Sequence, residues 1–225
     1  MRRFLRLVLF LAFACVGTSQ SASGDVRSCA THAYSYAGFA AAGPASGVAA
    51  SVSALASPQV LEGHVAAWVG VGGPGAGPDG SDEWLQAGLS SFASGTGRLY
   101  YELTLPDAQP RYVEVDSNVA PGEAHRLTVL EIRGRPAWWR VWIDGRAATD
   151  PIHLPQSHDR WRPIATAESW NAGTGVCNSF AFRFGRVVAA TASGQWQTFA
   201  RGYRFQDPGY RVVSDSRNTF RALGD

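Results

Sequence analysis

Trp84-Leu85-Gln86-Ala87-Gly88-Leu89-Ser90-Ser91-Phe92 reads as a β-strand that carries a carboxamide among large apolar residues. Side chains alternate along a strand, so Trp84, Gln86 and Gly88 share one face while Leu85, Ala87 and Leu89 share the other. A Gln on a strand face beside a Trp is either solvated or aimed into a cleft. Two further segments bear on that choice: Ala67-Trp68-Val69-Gly70-Val71-Gly72-Gly73 just before it, and Ala167-Glu168-Ser169-Trp170 much later.

Outward from this strand, short alternating runs separated by Gly, Pro, Asn and Asp dominate, and no segment sustains a helical period. Strands are expected at 65–71, 98–104, 111–115, 125–133, 137–143, 163–170, 178–189, 195–205, 210–213 and 219–223. Asp144-Gly145 marks a two-residue hairpin turn. In the strand before it Trp138, Arg140 and Trp142 share one face and Trp139, Val141 and Ile143 the other, the pattern of an interior strand. Residues 33–57 are rich in Ala, Gly and Ser, a linker-like composition. The apolar stretches 34–41 and 48–55 within them read equally well as strands of small residues under a close second layer. Many strands with short turns and no crossover helices predict an all-β fold of antiparallel sheets, as a sandwich or a barrel.

At the N-terminus Arg2, Arg3 and Arg6 precede an apolar run, 7–16, and a small-residue stretch, 17–24. This is the order of a secretory signal, expected over 1–23, and the run is too short to span a membrane. Cys15 leaves a lipoprotein reading open, and Arg2-Arg3-Phe4-Leu5-Arg6 a twin-arginine one. Residues 24–225 then form a single domain, secreted or periplasmic, without stable membrane insertion and expected to act as a monomer. All 20 basic residues are Arg, which excludes a Lys nucleophile. Outside the leader 17 of them remain against 18 acids, a near-neutral balance that argues against nucleic-acid binding. Cys29 and Cys177, the cysteines left in an exported chain, point to one disulfide. They are too few for a zinc site, and neither metal nor cofactor is expected.

Several chemistries fail on the residues. No Gly-x-Ser-x-Gly turn presents a serine nucleophile. His153, His158 and Asp159 fit no standard zinc spacing and read as a polar loop. Asp79, Asp82 and Glu83 follow a Gly/Pro loop and read as solvated acids, with a calcium site as the lesser alternative. Glu102, Glu114 and Glu131 lie on strands, but nothing selects a glycosidase pair among them. What remains is Gln86 and Glu168.

At these residues the chain resembles the glutamic peptidases, the eqolisins. The family's Trp-Val-Gly segment is similar to Trp68-Val69-Gly70, its Leu-Gln-x-Gly to Leu85-Gln86-Ala87-Gly88, and its Tyr-Glu strand to Tyr101-Glu102 with Pro106. Its Ala-Glu-Trp segment is similar to Ala167-Glu168-Ser169-Trp170. Tyr36-Ala37-Gly38 and Phe180-Ala181-Phe182-Arg183-Phe184-Gly185 resemble an early and a late strand of the family, so the Ala-rich region reads as strand. Gly72 stands where the family usually has an Asp, and Ser169-Trp170-Asn171 departs from its apolar continuation.

The resemblance implies a concanavalin A-like β-sandwich of two sheets of about seven strands, with a groove that takes a polypeptide substrate. It implies that Glu168 is the general acid and base and that Gln86 orients the attacking water and donates to the oxyanion. Trp68 and Trp84 would line the substrate site, with Glu102 supporting it. The alternative is a non-catalytic sandwich module that binds carbohydrate or peptide in an aromatic-lined groove. A structural domain with Gln86 and Glu168 on opposite faces, or far apart, is the third reading.

Overall fold

The computed structural model describes Cys29, residues 34–93 and residues 95–224. The expected leader, with Cys15, lies outside them. The described residues form sixteen strands and no α-helix. In chain order these are β1 (Tyr34–Ala41), β2 (Gly47–Ala54), β3 (His64–Gly73), β4 (Glu83–Phe92), β5 (Gly97–Thr104) and β6 (Arg111–Val119). Then come β7 (His125–Glu131), β8 (Trp138–Ile143), β9 (Arg146–Ala147), β10 (Ile152–His153) and β11 (Ile164–Trp170). The last are β12 (Phe180–Ala190), β13 (Trp196–Thr198), β14 (Arg201–Gln206), β15 (Tyr210–Ser216) and β16 (Thr219–Gly224). Among the described residues no helix is long and apolar enough to cross a membrane.

Two antiparallel sheets face each other. One has seven strands in the order β14-β1-β11-β3-β4-β5-β6; the other has nine, with β10-β8-β7-β2-β12-β16-β15 as its path, β13 on β12 and β9 on β8. The open choice between sandwich and barrel resolves to a sandwich. The second sheet exceeds the expected seven strands because two-residue and three-residue strands line its margins.

The Ala-rich stretches are strands, and the reason lies in the packing. Ala37, Ala67, Ala87, Ala165 and Ala167 on the seven-stranded sheet are buried with Phe182, Phe184 and Phe220 of the other sheet in one core. Small residues on one layer make room for aromatic ones on the other, as close packing requires. Phe220 stacks on Phe184 at 4.5 Å and meets the edge of Phe39 at 5.1 Å.

Three expectations change. The run 195–205 is not one strand. Its first part pairs with β12 and its second with β1, so the chain crosses from one sheet to the other at buried Phe199. Glu83 is no solvated loop acid; it opens β4 and is fully buried. Strand β8 is flanked on one side only by the short β9 and β10, so it sits next to the sheet margin. Its two faces divide as predicted, with Trp139, Val141 and Ile143 buried. Asp144 and Gly145 both take positive φ (50° and 77°) between the paired Ile143 and Arg146, as a two-residue hairpin turn demands.

Cys29 and Cys177 form a disulfide that joins the segment before β1 to the β11–β12 connection, across 148 residues. In the chain-entropy account such a loop closure is worth about 5 kcal/mol.

Candidate active site

Strand β7 buries every second residue, the mark of a sheet with one covered face, whereas β3, β4 and β11 are buried almost continuously. The centre of the seven-stranded sheet is therefore covered on both faces. On the outer face the cover comes from the sheet's own side chains: Ala66, Trp68 and Tyr100 form a second buried cluster, with Tyr36 and Ile164 against it.

Register places the candidate pair on this face, because directly paired residues of antiparallel strands point the same way. One row runs Tyr36, Glu168, Ala66, Ser90. The next runs Gly38, Thr166, Trp68, Gly88, Tyr100, and the third Ile164, Gly70, Gln86, Glu102. Gln86 and Glu168 thus emerge on one face of one sheet, from strands on either side of β3. Their partners on β3, Gly70 and Ala66, are separated by the Trp68 row. Gln86 is 6% exposed and Glu168 7%, so neither is an ordinary solvated strand residue.

Each oxygen of the Glu168 carboxyl meets a nitrogen. Trp68 Nε1–H donates to Oε2 at 3.0 Å, and His64 Nε2 lies 3.3 Å from Oε1. A buried carboxylate needs such donors to offset its desolvation. His64 is four residues before Trp68 on β3 and on the same face. Its ring stacks on Trp170 at 5.7 Å and lies 5.6 Å from Phe92. Tyr34 closes the cluster edge-on at 6.3 Å.

Gln86 Nε2 donates to the Tyr100 hydroxyl at 3.4 Å, a long contact. The Tyr100 ring reaches this position by lying over Gly88; a Cβ there would come within 2.4 Å of the ring. Tyr100 also stacks on Tyr112 at 4.9 Å. Burial, then the charges of Glu168 and Glu102, hold the Tyr100 phenol well above the usual tyrosine range, against the opposing hydrogen bond from Gln86. Tyr100 therefore keeps its proton.

Glu102 accepts from Trp84 Nε1 at 2.9 Å. Burial raises its pKa; the Trp84 N–H opposes this, the Glu168 charge adds to it, and His64 opposes it again. Tyr34 and Tyr36 are likewise pushed up, by burial first and the Glu168 charge second. Glu168 is thus the centre of charge for a ring of groups biased toward their protonated forms. Among the described residues no cluster of three His, Cys, Asp or Glu is placed to hold a metal.

All five site residues read from the sequence, Gln86, Glu168, Trp68, Trp84 and Glu102, lie on this face. Two that sequence reasoning missed are His64 and Tyr100. The signal for His64 was its spacing of four from Trp68, which keeps both on one strand face. The signal for Tyr100 was Gly88, a glycine inside a strand, which marks a close approach. The other polar cluster is only partly a loop: His158 and Asp159 lie in one, with His158 Nδ1 2.8 Å from Glu131 Oε1, whereas His153 belongs to β10 and packs on its cross-strand partner Trp138.

With this geometry established, two solved structures are similar to the chain over 85% of its length and 98% of theirs. One is scytalido-glutamic peptidase with a transition state analog inhibitor, at a TM-score of 0.59 and 16% identity. The other is SCP-B, a member of the eqolisin family of peptidases, in complex with the tripeptide Ala-Ile-His, at a TM-score of 0.55 and 16% identity. No family model matches the sequence, and no curated protein does. The expected fold, a two-sheet antiparallel sandwich, is the fold these peptidases share with this chain.

Proposed function

We propose that the protein is an exported peptidase of the glutamic type, with Glu168 and Gln86 as its dyad. The observation that carries the reading is the placement of both side chains on the outer face of one sheet, flanking Trp68, in a fold shared with peptidases that hold peptide-like ligands.

In this reading the ionised Glu168 takes a proton from a water held above the Trp68 row. The water oxygen bonds to the peptide carbonyl carbon, and the carbonyl electron pair moves onto its oxygen. The Gln86 amide N–H donates to that oxyanion, which a neutral carboxamide does without competing for the proton. Glu168 then gives its proton to the amide nitrogen as the C–N bond breaks, leaving a carboxyl and an amine. For this step Gln86 turns from Tyr100, a change that the long hydrogen bond makes cheap. Trp68 holds one Glu168 oxygen, while Trp84 and Glu102 build the wall beside Gln86.

The mature protein is expected to cleave a denatured protein in acid, to resist pepstatin, and to lose cleavage in both Gln86→Ala and Glu168→Gln. Full activity in either variant overturns the reading. A peptide- or carbohydrate-binding module without catalysis is the second reading, favoured by one fact: both dyad side chains already have partners within the protein. It predicts ligand binding with no cleavage in the same assay. Export is supported by the disulfide, which suits an oxidising compartment. N-terminal sequencing of the mature chain tests it.

A further inference from the structure

We infer that His64 is a positioning residue for Glu168: it exchanges a proton with the Oε1 atom and, as the imidazolium, keeps the carboxylate ionised in acid. The inference rests on the reading of Glu168 as the acid–base group.

The argument begins with Trp68. An indole N–H is a donor only, so Oε2, at 3.0 Å from it, must accept. A protonated Glu168 then carries its proton on Oε1, the oxygen facing His64 Nε2 at 3.3 Å. Carboxyl and imidazole therefore share one proton site. Either the carboxylic O–H donates to a neutral ring nitrogen, or the imidazolium N–H donates to the carboxylate.

The surroundings favour the second arrangement in acid. His64 is held among Trp170, Phe92 and Tyr34, and the π-face of Trp170, stacked on it, attracts a cation. Titratable groups face the pair from two strands: Tyr34 and Tyr36 from β1, Tyr100 and Glu102 from β5. The four are neutral or anionic, and none offers Glu168 a competing positive charge. Arg98, over Phe92 at 5.1 Å, is already paired with Glu114 at 2.7 Å. The His64 side chain is 21% exposed and that of Glu168 9%, so His64 is the more open route for the shared proton to reach solvent.

Two variants test this. His64→Phe keeps the aromatic packing and removes the charge, and His64→Gln keeps a donor without it. In pH profiles of kcat/KM the acid limb is expected to move up by about one pH unit in His64→Phe, since an opposite charge at this range has effects of that size. His64→Gln should move it in the same direction with KM little changed. Unmoved limbs in both variants overturn the inference. If the unmodified protein cleaves nothing, the peptidase reading fails by itself, and an activity-independent measurement decides the pairing. In an NMR titration of the imidazole signals, Glu168→Gln is expected to move the His64 transition to lower pH. An unchanged transition refutes the pair.

Discussion

Two carboxyls of the seven-stranded sheet are enclosed to a similar degree, Glu83 at 0% exposure and Glu168 at 7%. Glu83 opens β4 on the core side, sharing the face of Leu85 and Ala87, with the preceding loop folded over it; a Cβ at Gly77 would come within 3.0 Å of its own. Neither of its oxygens has a hydrogen-bond partner among the described residues, and burial pushes its carboxyl up to about 7. Glu168 lies on the other face and meets a nitrogen at each oxygen. Enclosure by itself makes a carboxyl hold its proton, whereas enclosure with N–H donors gives the charged form a place to exist. The first arrangement suits a group that stays neutral, the second a group that must change charge.

Substitution separates the two most strongly in activity. Glu168→Gln is expected to lower kcat/KM by about 10²–10⁴-fold, the usual worth of a general acid–base group, while Glu83→Met leaves it within a few-fold. A comparable loss at Glu83 would break the comparison. Stability should separate them the other way. The native Glu83 binds a proton more tightly than the unfolded chain does, its pKa rising from 4.5 to about 7. Its contribution is therefore complete below about 4.5 and lost as pH rises through about 7. Glu83→Met should remove this slope and raise the unfolding free energy at pH about 8 by ~1–3 kcal/mol, measured by denaturant titration. Trp68→Phe takes a donor from Glu168 and should bring it closer to the condition of Glu83. A loss of ~1–3 kcal/mol is expected, measured by denaturant titration. The smallest effect is expected from Tyr100→Phe: at 3.4 Å its bond to Gln86 is long, so kcat/KM should fall only about 2–5-fold.

The local parts of this molecule were legible in the sequence. Alternation located the long strands, Asp144-Gly145 a two-residue turn, and the pairing of small with large residues explains why an Ala-rich region is sheet. What alternation lacks is any knowledge of partners. The run 195–205 looks continuous because each half is strand-like; that the halves belong to different sheets depends on β12 and β1. Glu83 looks solvated because acids in a Gly-rich stretch usually are, and only the folded loop shows it covered. The candidate dyad was readable as two separate motifs. Its partners were not: His64 meets Glu168 through register set between segments 104 residues apart, and Tyr100 reaches Gln86 diagonally across β4 and β5, 14 residues away, a contact that alternation does not specify.

The Cys29–Cys177 bridge turns the stretch between its cysteines into a covalent ring that contains β1 to β11 and both members of the proposed dyad. On the proposed activity, the protein's own loops would be substrates for its other copies. Cutting one peptide bond inside the ring, in the loop before Glu83 for example, opens the chain without releasing a fragment. Such a nicked molecule would run as one species without reductant and as two with it. A single cut would then add only the mass of one water and leave the sheet, and the groups on its outer face, held together.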